Sequence, residues 1–284
     1  MRFPLLAIDL DGTLFNDHKE IDPVNIHAIH RYRELGGKVV ICSGRSPLST
    51  KWVAETIGLC EPIIAYNGSI ILDENGEIIE TSNFQQGTLI SFLDSCQTRG
   101  IYAHFYEGDT LLIPEENEWN DKWIENNIPL LAHSGGTLEG CNRYRSQCQV
   151  KLIDDLFQYI SENMPKISKI AVFDKAHDLR EFSHQLASKH EMEISSSFNY
   201  ANLEISPAGV SKGTSLLRLA DLLKIPLSRV AAIGDNYNDV QMLKTAGLGI
   251  AMGNAPSEVK AQADTVTNDN NAGGIAAAIN EYLF

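Results

Sequence analysis

The sequence predicts an α/β protein whose core is a parallel β-sheet, with an α+β module inserted into its middle. Strands and helices alternate at both chain ends, a hairpin signal interrupts this alternation, and the central stretch mixes helices with antiparallel strands. The 284 residues leave room for two domains. We therefore predict a core formed by residues 1–83 together with residues 192–284, and an inserted domain formed by residues 84–191.

The first part of the chain alternates between buried strands and amphipathic helices. The apolar run Leu5–Leu10 predicts a buried strand, and Asp22 followed by Pro23 predicts the start of a helix. Gly36-Gly37 ends that helix. This order is typical of a parallel sheet with crossover helices. The next predicted elements are a strand at Lys38–Cys42, a helix near Leu48–Ile57 and a strand at Pro62–Tyr66.

The middle of the chain departs from this rhythm. Asn75-Gly76 lies between two apolar segments, which is a strong hairpin signal. After Phe84 the pattern favours an α+β module with an antiparallel sheet. Its predicted helices are Leu89–Arg99, Glu115–Asn126, Asp154–Met164 and Leu179–His190, and its predicted strands are Ile101–Tyr106, Leu111–Pro114 and Lys169–Phe173.

The strand–helix alternation returns after Ser211-Lys212-Gly213. This return is why both chain ends are assigned to one sheet. The predicted elements are a helix at Leu216–Leu223, a strand at Arg229–Ile233, a helix at Asp239–Thr245, a strand at Leu248–Met252 and a closing helix at Ala272–Phe284.

The charge balance excludes two classes of partner. There are 23 Lys and Arg against 37 Asp and Glu, so the formal net charge is −14. Nucleic acids and anionic membrane surfaces both need clustered cations, so neither is an expected partner. No apolar run reaches the roughly 18 residues of a membrane span, and no signal peptide is recognised at the start. We predict a cytoplasmic protein; no oligomeric state follows from the sequence.

Polar clusters follow the predicted strands where ligands bind in open parallel sheets. They are Asp9-Leu10-Asp11-Gly12-Thr13, Ser43-Gly44-Arg45 and Gly234-Asp235-Asn236-Tyr237-Asn238-Asp239, and Lys212 heads a predicted helix. Each cluster alone is a weak signal, since the same residue types are common in turns and in solvent-exposed loops. Their occurrence together, each at a strand end or helix start, indicates one functional site.

The carboxylates of these clusters suggest a metal site. Asp9 and Asp11 at one strand end could not both be buried and charged without compensation, and a divalent cation supplies it. Asp235 and Asp239 follow another strand and could complete the site. Mg²⁺ prefers such hard oxygen ligands. Four acidic residues with one nearby lysine indicate a site for a metal together with an anion.

These residues resemble the four motifs of the haloacid dehalogenase superfamily. The four motifs occur here in the order that the superfamily shows. They are Asp9-Leu10-Asp11-Gly12-Thr13, Ser43, Lys212 and the stretch from Gly234 to Asp239. The insertion before EISPAGVSKG, together with Tyr66-Asn67-Gly68, resembles the Cof-type sugar-phosphate phosphatases with a class IIB cap. The resemblance implies a Rossmann-like core, an inserted cap of type C2B and Mg²⁺-dependent hydrolysis of small phosphorylated metabolites, sugar phosphates in particular.

The resemblance also implies residue roles. Asp9 would be the nucleophile that forms an aspartyl-phosphate, and Asp11 would be the acid and later the base. Asp9, the Asp11 backbone carbonyl and Asp235 would bind Mg²⁺, with Asp239 either a ligand through water or a partner that orients Lys212. The phosphoryl oxygens would be held by Ser43, Gly44, Lys212 and Asn238. Thr13 would orient Asp9 or Asp11, and Arg45 could be either a site residue or a surface charge.

Two other functions remain open at this stage. A sugar phosphomutase would use the same four motifs, passing the phosphoryl group to another hydroxyl. A metabolite-sensing protein with weak catalysis is disfavoured by Asp11, since a sensor has no need of an acid.

The inserted domain is expected to close over the site and to select the leaving group. Its aromatic residues could line a sugar or flavin pocket, although core packing is the more common role of such residues. They are Tyr102, Phe105, Tyr106, Trp119 and Trp123.

Overall fold

The computed structural model describes residues 1–121, 124, 138–175, 179–188, 192–197 and 202–284. Within them the chain forms an eight-stranded sheet and a six-stranded sheet. The eight-stranded sheet has the order β14-β13-β12-β1-β2-β3-β4-β5. Its strands are β1 (Leu5–Ile8), β2 (Lys38–Cys42), β3 (Ile63–Ala65), β4 (Ile70–Leu72), β5 (Ile78–Thr81), β12 (Val230–Gly234), β13 (Leu248–Ala251) and β14 (Thr265–Val266).

The first strand lies at the centre of this sheet. Leu5 is paired in parallel register with Val230 on one side and with Lys38 on the other. All strands from β14 to β3 are parallel, as predicted from the alternating pattern. The hairpin predicted at Asn75-Gly76 is also present, because β4 and β5 are antiparallel. The sheet therefore joins both ends of the chain.

Helices cover the two faces of the eight-stranded sheet. The first begins where the sequence predicts, since the Asp22 carboxylate accepts a 2.9 Å hydrogen bond from the Val24 amide. Tyr32 packs into the core and donates from its hydroxyl to the Phe3 carbonyl at 2.5 Å. The α-helices here are α1 (Pro23–Glu34), α2 (Pro47–Thr56), α7 (Lys212–Leu222), α8 (Val240–Thr245), α9 (Ser257–Lys260) and α10 (Gly274–Ala278), and a π-helical turn (Ile279–Leu283) follows α10.

The six-stranded sheet has its own apolar core and the order β10-β11-β9-β6-β7-β8. Its pairs are antiparallel, as expected, except for β7 and β8, which are parallel. Its strands are β6 (Tyr102–Glu107), β7 (Thr110–Ile113), β8 (Gln149–Leu152), β9 (Ile167–Phe173), β10 (Met192–Ser197) and β11 (Asn202–Pro207). The helices of this part of the chain are α3 (Gln86–Arg99), α4 (Leu138–Gln147), α5 (Leu156–Asn163) and α6 (Leu179–Ala187).

Strands β10 and β11 differ from the sequence prediction. Residues 192–207 were assigned to the core, whereas these strands pair with each other and with β9 of the six-stranded sheet. The reason is that side chains alternate between the two faces along β11. This places Leu203 and Ile205, both fully buried, in the core of the six-stranded sheet. The six-stranded sheet therefore extends to Pro207, beyond the predicted boundary at residue 191.

Other elements of the insertion were predicted less well. The sequence did not predict α4 or β8. The helix predicted at Glu115–Asn126 is absent from residues 115–121, which form turns, and most of its remainder lies outside the described residues. None of the helices described is long and apolar enough to cross a membrane.

Candidate active site

A polar cavity of about 670 Å³ lies where the carboxyl ends of the core strands face the six-stranded sheet. Asp9 follows β1 and Asp235 follows β12, so adjacent strands deliver both carboxylates to it. The six-stranded sheet contributes Tyr106, Lys169 and Glu204. Ligand binding at this edge is the expected property of an open parallel sheet.

Lys212 joins two carboxylates at the floor of the site. Its ammonium donates to Asp9 Oδ1 at 2.5 Å and to Asp239 Oδ1 at 2.6 Å. Lys212 is the first residue of α7, whose start is fixed by Ser211 as N-cap. Burial disfavours the charged ammonium, but the charges of Asp239 and Asp9 outweigh it and raise the pKa of Lys212. Lys212 therefore remains a cation inside the protein.

The Asp235 carboxylate lies against the loop after β1. Thr13 donates from its hydroxyl to Asp235 Oδ1 at 3.1 Å, rather than to Asp9 or Asp11 as expected. Gly12 has φ +80°, and a Cβ there would lie 2.3 Å from Asp235 Oδ2. Glycine is therefore required at this position both for its backbone conformation and for the close approach of the carboxylate.

Asp9, Asp235 and Asp239 form a carboxylate cluster in which one oxygen atom of each residue lies within 4.8 Å of the other two. Burial, followed by the charge of Asp239, raises the pKa of Asp9 well above its ordinary value and that of Asp235 to about 7. Both shifts reflect burial first and then negative charge in excess of what Lys212 neutralises. A hard divalent cation fits such a donor set, because it prefers carboxylate oxygens and offsets their repulsion.

Within the carboxylate cluster, Asp239 is the most fully engaged. Its Oδ2 accepts hydrogen bonds from the amides of Asp235 and Asn236 at 3.0 and 2.9 Å. Its Oδ1 accepts from Lys212, and the side chain is completely buried. Asp239 therefore fixes both the loop after β12 and the lysine.

Asp11 lies at the cavity wall with its carboxylate bound by two cations. Arg45 donates from Nε and Nη2 at 2.7 Å each, and Lys19 donates at 3.0 Å. Burial alone would raise the pKa of Asp11, but Arg45 and then Lys19 lower it well below its ordinary value. Arg45 is therefore a site residue and not a surface charge. It also stacks over the Phe15 ring at 5.0 Å.

The residues expected to bind phosphate line the same region. Ser43 is buried, and its Oγ accepts a hydrogen bond from the Arg45 amide at 3.1 Å. Gly44 and Asn238 border the cavity. Asn238 donates to Asn67 Oδ1 at 3.1 Å. Of the expected site residues, Asp9, Asp11, Gly44, Asp235 and Asn238 border this cavity, and Ser43, Lys212 and Asp239 are hydrogen-bonded to residues that border it.

Sequence reasoning missed several polar residues of this site, among them Lys19, Lys169 and Glu204. Lys19 and Lys169 were not singled out, and Glu204 was noted only as part of EISPAGVSKG. A signal existed for two of them, because Lys169 lies in the apolar strand ISKIAVF and Glu204 in the alternating strand NLEISP. A charged residue in an otherwise buried strand often belongs to a functional site.

The aromatic residues of the insertion have different roles. Tyr106 borders the cavity, whereas Phe105 is fully buried in the core of the six-stranded sheet. Trp119 stacks on Phe173 with ring centroids 5.2 Å apart. Tyr102 contacts His104 inside the sheet, and Trp123 lies outside the described residues.

Comparison with known proteins identifies the family. The family model of haloacid dehalogenase-like hydrolases matches residues 6–279. Phosphatase YwpJ of Bacillus subtilis is 28% identical over 289 residues, covering 98% of this chain and 99% of that protein. The 5-amino-6-(5-phospho-D-ribitylamino)uracil phosphatase YwtE of the same organism is 30% identical over 284 residues, covering 98% and 97%.

A solved structure supports the same assignment. A haloacid dehalogenase-like hydrolase from B. subtilis has a TM-score of 0.82 and 28% identity, covering 98% of this chain and 99% of that one. The sequence match and the structural match both span the parallel core and the insertion. The chain is an enzyme that belongs to the haloacid dehalogenase-like hydrolase family.

Proposed function

We propose that this enzyme is a Mg²⁺-dependent phosphatase of small phosphorylated metabolites, sugar phosphates in particular, and that it acts through an aspartyl-phosphate on Asp9. The observation that carries the proposal is the contact of Asp9 with Lys212 beside Asp235, at the floor of a polar cavity. A buried carboxylate nucleophile needs a nearby cation to bind a phosphate dianion.

In the first step the free carboxylate oxygen of Asp9 attacks phosphorus. The new bond joins this oxygen to phosphorus, and the bond from phosphorus to the substrate oxygen breaks. Asp11 in its acid form gives its proton to the departing oxygen, which leaves as an alcohol. For this to occur the substrate complex must release Asp11 from Arg45, to which it is bound in the free enzyme.

In the second step a water molecule replaces the leaving group. Asp11, now ionised, takes a proton from the water, whose oxygen attacks phosphorus. The bond between phosphorus and Asp9 breaks, which returns the carboxylate and releases inorganic phosphate. One residue thus serves as acid and then as base.

The remaining residues position the phosphoryl group. Ser43, the Gly44 amide, Lys212 and Asn238 would donate to its oxygens. Mg²⁺ held by the Asp9 and Asp235 carboxylates and the Asp11 carbonyl would, when bound, offset the negative charge of these groups and of the phosphoryl oxygens. Because both Asp239 oxygens are already engaged, we assign Asp239 to orienting Lys212 and the loop.

The cavity lining supports a hydroxyl-rich leaving group. Tyr66, Tyr106 and Asn202 border it together with the Lys169–Glu204 pair. Hydroxyl groups, amides and paired charges bind sugar or polyol hydroxyls through hydrogen bonds. The relative YwtE is named for a phosphorylated ribityl compound, which is in keeping with this substrate class.

The test is release of inorganic phosphate from a panel of sugar phosphates, nucleotides and vitamin phosphates, with Mg²⁺ and with a chelator. We expect turnover of several sugar monophosphates with Mg²⁺ and none with the chelator. Absence of turnover across the panel, with or without added metal, would contradict the proposal. Conversion of a hexose 1-phosphate to its 6-phosphate without phosphate release would show a phosphomutase instead.

A further inference from the structure

A buried lysine and a partly buried glutamate reach the phosphate site from the six-stranded sheet. Lys169 on β9 and Glu204 on the neighbouring strand β11 form an ion pair with Nζ and Oε1 2.7 Å apart. Lys169 also donates to the Gly44 carbonyl at 2.8 Å. The pair therefore contacts the loop that carries Ser43 and Gly44, although both residues belong to the insertion sheet.

Glu204 extends this contact into the core. Its Oε2 accepts a 2.7 Å hydrogen bond from Asn67 Nδ2, and Asn67 Oδ1 accepts a 3.1 Å hydrogen bond from Asn238 Nδ2. Three side chains thus form a continuous row from the insertion sheet to the residue expected to bind phosphate.

The chemistry of Glu204 determines how both amides are oriented. Burial opposes its ionisation, but Lys169 outweighs this and lowers the pKa of Glu204. An ionised carboxylate only accepts hydrogen bonds, so Asn67 must turn its NH₂ group toward Glu204 and its oxygen toward Asn238. Asn238 must then face Asn67 with its own NH₂ group, which leaves the second N–H of that group for a ligand.

The backbone keeps Asn67 in place. It has φ 55°, is 4% exposed and donates from its amide to the Ser43 carbonyl at 2.9 Å. Gly68 follows with φ +109°, and a Cβ there would lie 2.5 Å from the Ser211 carbonyl oxygen. These backbone contacts oppose a shift of the whole loop. Glu204 therefore acts on the orientation of the Asn67 side-chain amide.

We infer that Glu204 is a positioning residue for phosphate: through Asn67 it fixes the Asn238 amide with its N–H group toward the phosphoryl oxygens. The insertion then takes part in holding the transferred group, beyond any part in selecting the leaving group. This inference rests on the proposed function, because it takes Asn238 as a phosphate ligand.

The test exchanges the donor and the acceptor. Glu204→Gln removes the charge that fixes the amide of Asn67, and Asn67→Asp places two carboxylates against each other. In the Asn67→Asp/Glu204→Gln double variant the new carboxylate accepts from both the new glutamine and Asn238, so the orientation of Asn238 is restored. Glu193→Gln is the matched control, since Glu193 lies on the adjacent strand β10 and its Oε1 binds the Gly209 amide.

Affinity for inorganic phosphate is measured by titration calorimetry with Mg²⁺ present, which requires no turnover. We expect Glu204→Gln to weaken phosphate binding about tenfold, the effect of one hydrogen bond to a charged group. Its KM should rise in parallel while kcat changes less, and Glu193→Gln should bind phosphate as the parent does. Asn67→Asp should bind more weakly still, and the double variant should recover at least about tenfold of that loss.

Unchanged phosphate affinity in Glu204→Gln, or a double variant no better than Asn67→Asp, would overturn the inference. Should Asn67→Asp fail to fold, the comparison of Glu204→Gln with Glu193→Gln decides alone. The proposed function is refuted by a different result, namely that the parent enzyme releases no phosphate from any compound of the panel.

Discussion

Arg45 binds Asp11 through two hydrogen bonds of 2.7 Å, from Nε to Oδ2 and from Nη2 to Oδ1. This bidentate contact is the strong geometry of guanidinium–carboxylate recognition. It holds the proposed acid in its ionised form, and Lys19 adds a second cation. The free enzyme therefore keeps this proposed acid and base in the ionised form that the second proposed step requires.

Removal of Lys19 should let Asp11 keep its proton up to a higher pH. A cation beside a carboxylate lowers its pKa, so Lys19→Met should raise the pKa of Asp11. The alkaline decline of kcat, which reports Asp11 in the substrate complex, should then move upward by up to about one pH unit. The measurement is a pH profile with an alkyl phosphate, which needs the acid; Lys38→Met, at an exposed site, should leave the profile unchanged.

Mg²⁺ should stabilise the protein more at alkaline than at acid pH. Asp235 has a folded pKa of about 7 against an ordinary value of 3.8, so between these values the folded state holds a proton that the unfolded chain has lost. Its contribution to stability is therefore present below this window and is lost as pH rises through it. Mg²⁺ binds the ionised carboxylates and offsets the loss.

This linkage is measured as the shift in Tm on adding MgCl₂ at about pH 5 and about pH 8. The shift should be larger at the higher pH, and Asp235→Asn should abolish the difference. Asp94→Asn, which alters an exposed carboxylate on α3, should preserve it. Equal shifts at both pH values would count against a metal at this cluster.

A methyl group at Gly12 should damage the site more than the fold. The added Cβ would collide with Asp235 at 2.3 Å, whereas Gly100, with a similar positive φ of +65°, has open space around it. Both alanine variants should lose roughly 1–2 kcal/mol for the left-handed backbone. Only Gly12→Ala should also lose turnover and the Mg²⁺-dependent shift in Tm, and a fully active Gly12→Ala would refute the close approach.

Asp109 should hold the insertion against the core. Its carboxylate accepts a 3.0 Å hydrogen bond from the Leu48 amide in the first turn of α2, although Asp109 itself lies in the turn between β6 and β7. Asp109→Ala leaves this amide unpaired and should cost about 1 kcal/mol in urea denaturation. KM should rise because the insertion is held less firmly over the cavity. The control is Asp154→Ala, an exposed residue just after β8 of the same sheet, which should keep the stability and the KM of the parent.

The core and most of the site could be predicted because local chemistry determines them. Asp9, Ser43 and Asp235 each follow a strand whose apolar residues identify it, and parallel strands bring their carboxyl ends to one edge. Strand β11 could not be assigned in this way, since its partner β9 lies about thirty residues upstream and pairing is a tertiary property. For the same reason the contact of Glu204 with Asn67, 137 residues apart, was not predictable.

The most direct test of the account is detection of a phosphoryl group on Asp9. The Asp11→Asn variant should still transfer phosphate from an aryl phosphate, whose leaving group needs no acid, but should hydrolyse the intermediate slowly. After an acid quench, mass spectrometry of the peptide that contains Asp9 should show one added phosphoryl group, which Asp9→Asn abolishes. A phosphoryl group on another residue, or turnover in Asp9→Asn equal to that of the parent, would contradict it.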